Sequence, residues 1–454
     1  MRRLRHKVSA VAVVASAAML LAACGGGSST SDSSSGSGSG GSLDIYIGAQ
    51  PNFPDQFAAW SKDITDKFKA KTGADLTIET YASAADETTK IQSSVVAGSG
   101  PDIYNLGTTF TPVAYATQGF LTLSDDDWAK IGGRARFLPQ TLGMSGPDQT
   151  NQIGIPAAMR PFGLAYNTDM FTAAGITAPP TTWDDFVADA TKLTNTATGV
   201  YGTTLDYSDG FDPWKFIWAM TEQQGGYFVS PDLKTSGLGA DQTLHATTGY
   251  FDLLTKYHLA DPASVGWKAG DATAAFAAGK AAMQPMVTAQ AIPTLDKSPL
   301  KGHYAFASLP TVALGMTERP AGAEPAASIV SGDNLAIASY TKNKDLALQF
   351  IDLFTSTDMQ LANYQAFGNL PTNADAMNQL SAQNALLAPF LEIESNSTPT
   401  AFTGAWADVQ NGVTNVVTQS QPSLANGSYD TGAVKTLLDA ANATAQSALD
   451  RANK

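Results

Sequence analysis

LDIYIGAQPNFPDQFAAWSKDITDKFKAKTGADLTIET, residues 43–80, decides the fold. Leu43–Ile47 alternates with the period of two that a strand requires, and Leu76–Thr80 does so again. Between them Phe57, Trp60, Ile64 and Phe68 recur at helical spacing, and Gly73 follows as a stop. This is a β-α-β opening. Working outward, the same rhythm returns at Ile103–Leu106, Leu164–Tyr166 and Asn334–Ile337, each followed by helix-like stretches. Thr182-Trp183-Asp184-Asp185 predicts a helix start, with Thr182 as N-cap and an apolar run through Phe186, Ala190 and Leu193. Leu346, Phe350, Ile351 and Phe354 mark another helix, and Val434, Leu437, Leu438, Ala441 and Leu449 a C-terminal one. Strands alternating with helices over about 410 residues imply an α/β protein.

The ends and the composition narrow the setting. Met1–Lys7 is basic, and Val8–Ala23 is uncharged and mostly small and apolar. That run is too short to span a bilayer and reads as a signal peptide over residues 1–23. Cys24, the sole cysteine of 454 residues, closes Leu21-Ala22-Ala23-Cys24, which resembles the lipobox of bacterial lipoproteins. A lipid on Cys24 is then the only membrane attachment expected, and no intrachain disulfide can form. Residues 25–42 hold seven Gly and nine Ser, so 24–42 reads as a flexible tether of roughly 20–25 Å mean span. With four cations in the first seven residues, the remainder sets 23 cations against 41 carboxylates, a net −18. Such a body repels phosphate backbones, so nucleic acid is not an expected partner.

The scan for chemistry is negative. His245, His258 and His303 show no metal-ligand spacing, and neither HExxH nor GxxxxGK[ST] occurs. Gly143-Met144-Ser145-Gly146 lacks the spacing of a nucleophile elbow. Asp125-Asp126-Asp127 lacks the Gly and distal Glu of a calcium loop and reads as a solvated helix start. No cofactor, metal or catalytic residue is expected.

Four stretches together resemble the extracellular solute-binding proteins of sugar ABC transporters, the group that includes maltodextrin-binding proteins. They are Ala97-Gly98-Ser99-Gly100-Pro101-Asp102-Ile103, Gly154-Ile155-Pro156 with Leu164–Phe171 and Pro179–Phe186, Phe276–Met283, and Asp333–Ile337 with Ala347–Phe350 behind it. The resemblance spans most of residues 43–370. It implies a two-lobed α/β fold with hinge strands crossing between lobes and a ligand cleft between them. Lobe one would be 43–158 with 309–368, and lobe two 162–308 with 369–454. The implied function is a non-enzymatic, monomeric lipoprotein that captures a small sugar and delivers it to ABC permease subunits.

A sugar offers hydroxyls and apolar C–H faces, so its site needs flat aromatics and short polar groups. By resemblance Trp214 is the stacking platform and Trp406 a second one. Trp218, four residues on, is either a contact or core. In lobe one, Gln50 and Asn52 follow the first strand, and Thr108 and Thr109 follow Leu106, in loops where open α/β sheets bind ligands. Arg160 matches a cleft position, with a structural ion pair as the alternative. Asp209 and Asp212 are hydroxyl acceptors or a solvated turn, and Asp333 faces the cleft from the hinge. Residues 284–290 carry no aromatic where many relatives have one. That departure favours a mono- or disaccharide, with Thr288 and Gln290 supplying hydrogen bonds. The rivals are a secreted carbohydrate-active enzyme, a binder of a polyamine, amino acid or anion, and a structural envelope lipoprotein.

Overall fold

The computed structural model describes residues 41–50, 53–81 and 84–454. The signal peptide, Cys24, nearly all of the tether and Asn52 lie outside them. Among the described residues nine strands form two sheets. β1 (Ser42–Gly48), β2 (Asp75–Tyr81), β3 (Ile103–Gly107), β4 (Gly154–Met159) and β9 (Gly332–Ile337) make the first, in the order β2-β1-β3-β9-β4. β5 (Gly163–Asn167), β6 (Tyr201–Thr203), β7 (Ala281–Val287) and β8 (Tyr304–Ala307) make the second, in the order β6-β7-β5-β8. In the first sheet β1 runs parallel to β2 and β3, whereas β9 is antiparallel to β3 and β4. β1 begins at Ser42, one residue before the expected start of the body.

The opening unit forms as its spacing requires. Helix Pro54–Thr72 buries Trp60, Ile64 and Phe68 against the first sheet, while Phe57 is half-buried. Gly73 ends it at φ 75°, a left-handed conformation, where its N–H reaches Lys69 O. Helix Trp183–Leu193 is capped by Thr182, whose Oγ1 accepts the Asp185 N–H at 3.0 Å. Its buried residues are Trp183, Phe186, Ala190 and Leu193. Two long helices, Trp406–Ala425 and Thr431–Ala452, complete the core behind the second sheet. One expectation fails here. Asp127 is buried rather than solvated, because it closes a capping box with Ser124 and pairs with Lys344 at 2.8 Å.

The chain leaves the first sheet after Met159 and enters the second at Gly163, then returns through Ser328–Gly332. These two crossings run side by side. Arg160 N–H donates to Ser331 O at 2.9 Å, and Phe162 N–H donates to Ser328 Oγ at 3.0 Å. Gly332, at φ 150°, passes so close to the neighbouring strand that a Cβ would sit 1.9 Å from Ala158 O. Only glycine permits this approach.

Candidate ligand-binding cleft

Beside the crossings lies a cavity of about 800 Å³. The first sheet supplies the loops at the carboxyl ends of β1 and β3, with Gln50, Thr108 and Thr109. The second sheet supplies Thr288 and Gln290 after β7, and the adjoining lining comes from Asp209 in the turn before helix Asp212–Glu222 and from Asp212 and Lys215 in its first turn. The crossings add Arg160 and Asp333. The structure thus brings nine expected residues to one cavity: Gln50, Thr108, Thr109, Arg160, Asp209, Asp212, Thr288, Gln290 and Asp333.

Much of this polar lining is already engaged. The Arg160 guanidinium forks onto both carboxylate oxygens of Asp333, Nη1 at 2.9 Å, and its Nε–H donates to Asn369 Oδ1 at 3.1 Å. Gln290 donates to the same Asn369 oxygen at 3.0 Å. The Asp209 carboxylate accepts N–H groups from Phe211, Asp212 and Ala269. Asp212 faces Lys215 at 3.4 Å, and the Lys215 ammonium stands 4.0 Å from the centre of the Phe162 ring. Behind Asp212 lies Asp206, 8% exposed. Burial pushes the carboxyls of Asp206 and Asp212 up, and the hydrogen bond between them raises Asp206 further while drawing Asp212 back down. Burial also draws the Lys215 ammonium below its ordinary value, against the pull of Asp212.

The three tryptophans are elsewhere. Trp214 is 0% exposed, Trp406 1% and Trp218 3%, and none lines the cavity. Trp214 and Trp406 meet edge to face at 5.8 Å and 72°, holding helix Asp212–Glu222 to helix Trp406–Ala425. The expected platforms are residues of the hydrophobic core behind the second sheet. Flat surface at the cavity comes from Phe211, half exposed, with Phe53, Tyr81, Phe110 and Phe162 also on the wall. Phe211 stands immediately before the stretch taken to carry the platform, so proximity in sequence was its only signal.

Among the lining residues that carried no mark in the sequence are Glu87, Lys215, Gln284 and Gln410. Glu87, on helix Ala84–Ala97, is 5% exposed. It accepts the Gly107 N–H, while its Oε1 has no hydrogen-bond partner. Burial, with Asp333 as a charged neighbour, pushes its carboxyl well above the usual range. Gln284 donates to Thr273 Oγ1 at 2.9 Å, and its Oε1, like that of Gln410, has no partner.

Two sheets of this topology, joined by paired crossings with a polar cavity at the strand ends, define a two-lobed solute-binding protein. The likeness to solved structures is of that class. The solute-binding protein of Thermotoga lettingae solved with α-D-tagatose matches at a TM-score of 0.72 and 20% identity, covering 90% of this chain and 99% of that one. The Agrobacterium radiobacter K84 protein solved with ribitol matches at 0.73 and 22%, covering 90% and 98%. Among sequence relatives, the diacetylchitobiose binding protein DasA of Streptomyces coelicolor is 24% identical over 366 residues, 78% of this chain and 79% of its own. Residues 50–361 match the sequence profile of the bacterial extracellular solute-binding proteins, and the chain belongs to that family.

Proposed function

We propose that this protein is the sugar-capturing lipoprotein of an ABC importer, taking a mono- or disaccharide between its lobes and passing it to the permease without making or breaking a bond. The observation that carries the reading is the composition of the cavity. Short polar side chains from both lobes face flat apolar rings, Phe211 foremost, within a volume typical of small-ligand sites. Phe211 covers a C–H face of the sugar, while Thr108, Thr109, Thr288 and Gln290 meet its hydroxyls. The ligands of the Thermotoga, Agrobacterium and Streptomyces relatives, a ketose, a pentitol and an amino-sugar dimer, support the class. The sequence suggested lobes of 43–158 with 309–368 and 162–308 with 369–454; in this reading the return to lobe one falls later than 309, at the Ser328–Gly332 crossing, because Leu309, Val312 and Leu314 pack with the second sheet. The monomer is tethered to the outer face of the membrane by a lipid on Cys24.

A thermal-shift screen against monosaccharides, disaccharides and sugar alcohols tests the capture. A ligand at a hundredfold excess over Kd stabilises by about 2.7 kcal/mol, which raises the melting point visibly. A panel with no hit sinks the reading. For the anchor, Cys24→Ala releases the protein to the medium with its fold intact, and unchanged membrane retention refutes the lipid.

A further inference from the structure

Among the described residues the cavity wall carries four carboxylates, Glu87, Asp209, Asp212 and Asp333, against two cations, Arg160 and Lys215. Neither cation is free to receive a ligand. Arg160 is forked onto Asp333, and Lys215 lies against Asp212 and the Phe162 ring. Asp209 is spent on three backbone N–H groups. Glu87 is the carboxyl left over. One oxygen takes the Gly107 N–H, and Oε1 is buried at the cavity without a partner. A buried carboxyl in that state costs free energy until a donor reaches it, and a cationic donor offsets most because it also favours the ionised carboxylate. An anionic ligand meets the opposite situation, like charges and no unpaired cation.

Building on the sugar-binding reading, we propose that Glu87 selects the ligand by charge: the cleft takes a sugar bearing a protonated amino group, seated on Glu87 Oε1, in preference to the neutral parent sugar, and rejects acidic sugars.

Matched probes isolate the charge. The purified full-length protein is titrated calorimetrically with glucose, glucosamine and glucuronate, with galactose, galactosamine and galacturonate, and with chitobiose and diacetylchitobiose. The expected result is that, within any series that binds, the free amine binds tighter than its neutral counterpart by about tenfold or more, and the acid gives no heat. Glu87→Gln keeps the shape and cannot ionise to meet an ammonium. It should bring amine and neutral sugars within about threefold of each other, while the empty protein melts no lower than wild type. Glu87→Ala is the second variant, and it should abolish the same preference. A neutral or acidic member binding as tightly as the amine, or a preference that survives both substitutions, overturns the selector role and leaves sugar capture standing. Absence of binding by every probe overturns both.

Discussion

Glu394 is the residue whose replacement should change stability most legibly. It sits in helix Ala388–Ser395, which packs beside β8 through Phe390 and Phe306, ring centres 4.7 Å apart. The side chain is 1% exposed, and neither carboxyl oxygen has a hydrogen-bond partner. Burial alone pushes the group from the ordinary 4.5 to about 8. A folded state that holds its proton more tightly than the unfolded chain is favoured while the carboxyl is neutral. The favourable condition is therefore complete below pH 4.5 and is lost as pH rises through 8. At 1.36 kcal/mol per pH unit across that gap, the charge costs ~3 kcal/mol by pH 7 and ~5 kcal/mol above pH 9. Glu394→Gln cannot ionise, so its stability lacks this slope. Urea unfolding of both proteins at pH 5, 7 and 9 measures the difference, and subtraction cancels the other titrating groups. The variant should gain on wild type by ~4 kcal/mol between pH 5 and 9. Parallel stability profiles would refute the reasoning, because they would mean that solvent or a partner reaches the carboxylate.

Three further outcomes follow from the site. Phe211→Ala removes a half-exposed ring at the cavity, so sugar affinity measured by calorimetry should fall about tenfold or more while the melting point of the empty protein barely moves. Trp214→Ala should do the reverse: a ring 0% exposed and packed on Trp406 costs ~3–5 kcal/mol of folding in urea unfolding, and normal stability would return Trp214 to the cavity wall. Asp333→Ala leaves Arg160 without its counter-charge and should cost up to ~3 kcal/mol, with part recovered in the Asp333→Ala, Arg160→Ala double variant; additive losses would show that the pair is not coupled.

The parts of the fold that sequence exposed are those set by local spacing. Trp60, Ile64 and Phe68 fall on one face of their helix whatever surrounds it, and Gly73 stops that helix by its own backbone freedom. The Trp214 error has the complementary cause. Every residue from Asp212 to Thr221 is buried, so helix Asp212–Glu222 has no polar face to show which side meets solvent. Only helix Trp406–Ala425, nearly two hundred residues downstream, turns Trp214 inward and leaves Phe211 at the cleft.

The charges of the cleft were hidden for the same reason, and with a larger consequence. Arg160 in isolation reads equally well as a ligand contact or a structural ion pair. Its partner lies 173 residues away, on the return crossing. Once that pairing is made, the Arg160 guanidinium belongs to the hinge, where it ties the outgoing strand to the incoming one beside the Arg160–Ser331 backbone bond. Lys215 is drawn off in the same way by Asp212. A residue count that sees two cations and four carboxylates therefore misjudges what a ligand meets. Pairing within the wall cancels the cations first, and Glu87, placed by a helix whose approach to Gly107 no local pattern encodes, is the carboxyl that remains among the described residues, beside the amide oxygens of Gln284 and Gln410.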